Sequence, residues 1–204
     1  MPERLCDEII VSEIGDGQID AALVKVCPER VPTRGHFVYI TRDDLNFAGL
    51  SPTSLPTYDD GAYMDAKTLT VKDNATRRII KIGSTTSLTK GTLSTTDGVV
   101  RETAEYTTLE NLYNGSKVKY YVKSQLMVYS YVKKIFCQAG DSGSAVFLVD
   151  DSNRLYCIGM VIGLITNDCT AVVTPIKNIL DSLGQKLGKE LELKTFDLEK
   201  MDEQ

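Results

Sequence analysis

The chain has 204 residues, 42% apolar and 25% charged, which excludes wholesale disorder and fits one domain or two small ones sharing a core. Its 23 basic residues are outnumbered by 28 acidic ones, for a net charge of -5, so it carries no electrostatic grip on nucleic acid. The longest strongly apolar run, residues 157–165, falls well short of the roughly 20 residues that cross a bilayer, so no membrane span is expected.

The N-terminal residues MPERLCDEIIVSEIGDG carry acids early and lack an apolar stretch closed by small residues, unlike a signal peptide. Five cysteines is an odd number, and none forms a CxxC pair, which argues against structural zinc. The sequons at Asn74 and Asn114 tilt the reading toward secretion, provided a longer chain carries a leader. The compartment is otherwise open.

In chain order, Ala21–Val26 is a compact apolar strand closed by Pro28. Residues 31–60, with Pro32, Pro52, Pro56, Gly35 and Gly49, read as loop or linker. Ile79, Ile80 and Ile82 form a strand before Gly83, and Gly91 and Gly98 punctuate two further segments. Residues 117–132 alternate, with Val118, Tyr120, Val122, Leu126 and Val128 on one parity and Lys117, Lys119, Lys123 and Gln125 on the other. This predicts strands with one buried face and a break near Ser124. Ala145–Val149 and Leu155–Ile165 are strands separated by the turn at Asp150 to Asn153, and Val172 and Val173 belong to the last. Thr174 and Pro175 then predict a helix N-cap and first position. Ile176, Ile179, Leu180, Leu183 and Leu187 share the face of that helix. From Lys189 the dense charges predict a solvated tail.

The chemistry-bearing segment is Cys137-Gln138-Ala139-Gly140-Asp141-Ser142-Gly143-Ser144-Ala145-Val146. A serine between glycines on a sharp turn exposes its hydroxyl beside converging backbone N–H groups, which acyl transfer requires. Read alone, the same residues also fit a Gly- and Ser-rich hairpin.

Gly-Asp-Ser-Gly followed by a small residue and an apolar strand resembles the nucleophile loop of chymotrypsin-like serine proteases. Residues 81–93 (KIGSTTSLTKGTL) resemble the start of that family's second barrel, and 159–165 (GMVIGLI) its substrate-cleft strand. Residues 171–183 (AVVTPIKNILDSL) resemble its final strand and C-terminal helix, so the likeness spans about 77–187. Upstream, residues 19–26 (IDAALVKV) resemble the strand that carries the orienting aspartate.

The resemblance implies an all-β, antiparallel double β-barrel of chymotrypsin type, with an incomplete first barrel and a C-terminal helix. Residues 1–60 would be a remnant of the first barrel and linker, 61–188 the second barrel with its helix, and 189–204 a charged tail. It implies a serine endopeptidase acting on polypeptide through an acyl-enzyme on Ser142, with Asp20 orienting the base and Asp141 a buried structural carboxylate. The backbone N–H groups of Gly140 and Ser142 would form the oxyanion hole. Gly163, Leu164 and Ile165 would wall the substrate pocket opposite 136–139, and Cys137 and Cys169 would form a disulfide bracing it. No metal or organic cofactor is implied.

The family's histidine precedes its aspartate, yet no histidine lies among the 19 residues before Asp20. The sole histidine, His36, follows it, and would restore the order only if Asp59 or Asp60 took the orienting role. Either the chain belongs to a longer protease whose preceding segment carries the base, or it is an inactive relative that acts as a binding or regulatory module. Both accounts expect little peptidase activity from the chain alone, and an open first barrel prone to self-association. An unrelated β-sandwich is the third reading.

Overall fold

The structure, a computed structural model, describes residues 6–13, 19–31, 40–51, 63, 78–93, 95–96, 99–100, 102–110, 117–131, 134–165 and 169–194. His36, Asp59, Asp60, Asn74 and Asn114 lie outside the described residues.

Two strands, β1 (Cys6–Glu13) and β2 (Ala21–Val26), pair antiparallel as a separate ribbon. A short helix, α1 (Arg42–Ala48), follows within the stretch expected to be linker. Its start is set by a capping box, in which the Thr41 hydroxyl accepts from the Asp44 N–H (3.1 Å) while the Asp44 carboxylate accepts from the Thr41 N–H (3.3 Å). Proline and glycine density on either side masks this seven-residue signal, and the helix ends at Gly49 in the left-handed conformation.

The main sheet contains β3 (Arg78–Gly83), β4 (Ser87–Leu93), β7 (Glu102–Glu110), β8 (Lys117–Ser130), β9 (Ala145–Val149), β10 (Leu155–Ile165) and β11 (Thr170–Pro175). Short β5 (Thr95–Thr96) and β6 (Val99–Val100) pair with each other. The order β3-β4-β8-β11-β10-β9 returns to β3, so six antiparallel strands close into a barrel. β7 pairs antiparallel with β8 along residues 117–126, outside the closed circuit. Gly91 falls inside β4 instead of ending a strand: a side chain there would collide with Val128 and Phe136. β8 runs unbroken through Ser124, which adopts a positive φ of 55°. Along 125–128 both of its faces are buried, not one, because Gln125 is matched by the Thr174 hydroxyl, which donates to its side-chain oxygen at 2.7 Å. Thr174 is therefore spent inside the sheet, and Pro175 takes the cap position of α2 (Ile176–Leu187) without a side-chain cap.

Strand alternation sorts the apolar residues into two cores. Ile79, Leu126, Val128, Phe136, Val146, Leu148, Ile158, Val161 and Val173 pack together inside the barrel. Ile80, Leu88, Phe147, Val149, Leu155 and Cys157, on the opposite faces, meet Ile19, Ala21, Leu45, Ala48, Ile176, Ile179 and Leu183. With both faces covered, β9 reads as an uninterrupted apolar run. Leu191 and Leu193 join this outer core, so the start of the expected solvated tail is instead docked.

Candidate functional site

Ser142 lies on the connection from Phe136 into β9, on a turn that two glycines make possible. Gly140 has φ +97° and Gly143 φ +86°, left-handed values that an L side chain resists. The loop is stitched to β10: the Gly143 N–H donates to the Val161 carbonyl (2.8 Å), and the Val161 N–H donates to the Ser144 carbonyl (2.9 Å). Ser142 is exposed. Among the described residues, neither the Gly140 N–H nor the Ser142 N–H has a protein acceptor, whereas the Asp141 N–H donates to Gln138 (3.0 Å) and the Ser144 N–H to Asp141 (3.0 Å).

Behind the loop lies a buried ion pair. Asp141 is fully buried and faces the equally buried Lys81 ammonium at 3.2 Å. Its carboxylate accepts from the Gln138 N–H (3.0 Å), the Thr86 hydroxyl (2.7 Å) and the N–H groups of Thr85 (2.9 Å) and Thr86 (3.2 Å). Burial opposes its ionisation, but these donors outweigh burial and hold the acid well below the usual carboxylate range. Burial pulls the Lys81 ammonium below lysine's ordinary range, although Asp141 pushes the other way. Lys81 also donates to the Thr86 hydroxyl (2.5 Å) and lies 5.7 Å from the centre of the Phe136 ring.

The turn between β3 and β4 supplies the rest of the cradle. The Ser84 hydroxyl donates to the Gly140 carbonyl (2.8 Å) and the Thr85 hydroxyl to the Ala139 carbonyl (3.0 Å). Sequence reasoning placed this turn but missed Lys81 and the bonds the turn makes to the Ser142 loop. The available signal was parity, since Lys81 shares the barrel-facing side of β3 with Ile79 and Gly83 and a lysine there needs a buried partner. At Gly83 any added side chain would strike Asp141 and Lys81.

The expected pocket walls are adjacent. The Cys137 thiol lies 3.9 Å from the Gly163 carbonyl, and open space surrounds Gly163 where a side chain would project. Gly163, Leu164 and Ile165 are half-buried and pair on one side with Val172, Ala171 and Thr170. On the other side, pairing with β9 ends at Met160–Ala145, so that edge has no β9 partner beside the Ser142 loop.

The expected Cys137–Cys169 disulfide is not formed. Both residues are free thiols, and Cys137 is directed at the Gly163 carbonyl. Burial pushes the Cys137 thiol up to about 11 and the Cys157 thiol up to about 12, so both are protonated near neutrality. Asp20 is half-buried, between Ile19 and Ala21, which point into the outer core. It immediately precedes β2 of the ribbon and is not part of the barrel that carries Ser142. Among the described residues, no group of three or more His, Cys, Asp or Glu side chains is placed to hold a metal ion.

No model of a known protein family matches this chain. No curated protein sequence matches it either.

Proposed function

We propose that the chain is the nucleophile-bearing part of a chymotrypsin-like serine endopeptidase, the closed barrel being the second of that fold's two. The observation that carries this reading is the exposed Ser142, flanked by the N–H groups of Gly140 and Ser142, which have no acceptor among the described residues, and by the edge of β10 beyond Val161, which has no strand partner among them. An extended polypeptide adding to that edge would bring a carbonyl to the Ser142 hydroxyl. Attack forms the Oγ–C bond, the oxygen's negative charge is held by the two N–H groups, and the amine departs to leave an acyl-enzyme that water hydrolyses. A base takes the hydroxyl proton and returns it to the amine, and Asp20 would orient that base as imidazolium. The base is an imidazole from a segment beyond this sequence, or His36 if Asp59 or Asp60 takes the orienting role in place of Asp20.

A fluorophosphonate probe tests the reading on the protein at its natural length, whether that is this 204-residue chain or a longer one that contains it. The expected result is labelling that Ser142→Ala abolishes, slow wherever the base is absent, because a serine without its base is a poor nucleophile. No Ser142-dependent labelling of the natural-length protein would overturn it. The second reading, a non-catalytic peptide-binding or regulatory module, is favoured by the position of the only histidine after Asp20. Binding of extended peptides without any labelling would select it.

A further inference from the structure

The two N–H groups at Gly140 and Ser142 stabilise an oxyanion only if both peptides are turned the same way. In a trans peptide the C=O and the following N–H point in opposite directions, so fixing one fixes the other. No described peptide bond is cis. The Asp141 carbonyl accepts from the Ser144 N–H within the turn, which sets the Ser142 N–H pointing away from that bond. The Ala139–Gly140 peptide has no such partner within its own turn. Its carbonyl is held instead by the Thr85 hydroxyl, 54 residues earlier in sequence, at 3.0 Å.

A second observation ties Thr85 to this peptide. A side chain at Gly140 would run into the Thr85 hydroxyl oxygen, so the bare α-carbon at 140 is what lets the hydroxyl approach. The φ of +97° at Gly140 removes most of the backbone's own resistance to turning, because glycine accepts both signs of φ about equally. A peptide beside such a residue needs an external restraint. The Ser84 hydroxyl on the next carbonyl, at 2.8 Å, and the Thr85 N–H on Asp141, at 2.9 Å, hold the β3–β4 turn against the loop.

We propose that Thr85 is a positioning residue: its hydroxyl holds the Ala139 carbonyl on the cradle side and so turns the Gly140 N–H toward the face on which Ser142 is exposed. The inference rests on the acyl-transfer reading for its purpose, but the orientation of the peptide is a separate fact that can be measured without activity. Thr85 is exposed and outside both cores, so Thr85→Val keeps the branched shape, removes the donor and leaves the packing intact.

Two measurements decide it. Crystal structures of Thr85→Val and Thr85→Ser read the peptide directly: in the valine variant the Ala139–Gly140 peptide is expected rotated or split between two orientations, and in the serine variant as in the parent. A valine variant with the parent orientation would overturn the proposal. Fluorophosphonate labelling of the natural-length protein reads the consequence. Loss of one oxyanion donor typically slows acyl transfer by about a hundredfold or more, so Thr85→Val is expected to slow labelling by about that factor while Thr85→Ser restores it. Equal rates for parent and valine variant would overturn the proposal. If the parent itself is not labelled, the peptidase reading fails and the crystal structures alone decide the role of Thr85.

Discussion

The barrel and the N-terminal ribbon solve the same problem, covering apolar strands, in opposite ways. In the barrel each of the six strands has a neighbour on both sides, and residues such as Val128 and Ile158 are sealed by the wall itself. The ribbon is two strands wide, and only one of its faces, through Val11, Leu23 and Ala21, reaches the outer core. The other leaves Ile9 67% exposed, with Ile10, Val24 and Val26 also in solvent. A two-stranded ribbon is marginal by itself in water. Its order is therefore borrowed from α2, which packs against β1 and β2 and whose Lys186 donates to the Ser12 carbonyl at 3.2 Å. The contrast teaches that Ser142 stands on the self-sufficient region and Asp20 beside the dependent one.

The largest expected effect breaks the barrel side. Lys81→Met removes the cation but leaves Asp141 charged and buried, and stranding one member of a buried pair typically costs about 3–5 kcal/mol. Urea denaturation followed by circular dichroism measures it, and a loss below about 1 kcal/mol would mean that the N–H and hydroxyl donors alone satisfy Asp141. The acid limb supplies the sign. Asp141 titrates lower when folded than when unfolded, so its contribution is present above the unfolded carboxylate range and is lost as the pH falls toward its folded value. Without Lys81 the folded value rises, and the acid-unfolding midpoint is expected at higher pH than in the parent. An unchanged midpoint would remove Lys81 from the account.

The same contrast governs how much could be read from sequence. Strands of the barrel announced themselves because closure demands apolar parity: Ala145–Val149 and Leu155–Ile165 fall where the runs of apolar residues put them. The exposed turn at Ser142 was legible because Gly140 and Gly143 are needed for its left-handed backbone. What was not legible depends on distant partners. Lys81 finds Asp141 across 60 positions of sequence, and Thr174 gives its hydroxyl to Gln125 and not to the helix it precedes. The α1 capping box is local, but it is short and sits among prolines that favour a linker reading. Leu191 and Leu193 dock although charges surround them, because the outer core accepts single apolar side chains from an otherwise polar segment.

A smaller effect separates the two regions. Leu183 is buried where α2 meets the outer core, and Leu183→Ala is expected to cost about 3 kcal/mol through lost burial and the cavity left behind. Because the ribbon leans on α2, amide hydrogen exchange should rise first in β1 and β2, with β9 and β10 still protected. Equal loss of protection in both would show that they unfold as one unit, and the contrast between them would fall.

The smallest effect concerns α1, which belongs by sequence to the N-terminal part but packs on β4 of the barrel. Leu45 and Ala48 enter the outer core, and Lys134 ties the helix from the other side by donating to Asp44 (3.4 Å) and to the Leu88 carbonyl (3.2 Å). The Thr41 hydroxyl donates to the Asp44 carboxylate at 2.7 Å and, against burial, lowers that acid's pKa with help from Lys134. Thr41→Ala deletes the cap and should cost about 1 kcal/mol, with Thr41→Ser recovering most of it. If α1 is fastened to the barrel, that loss appears in the global denaturation midpoint. If the midpoint holds still while only the α1 amides exchange faster, the helix opens by itself, and α1 joins the ribbon as a region ordered by its neighbours.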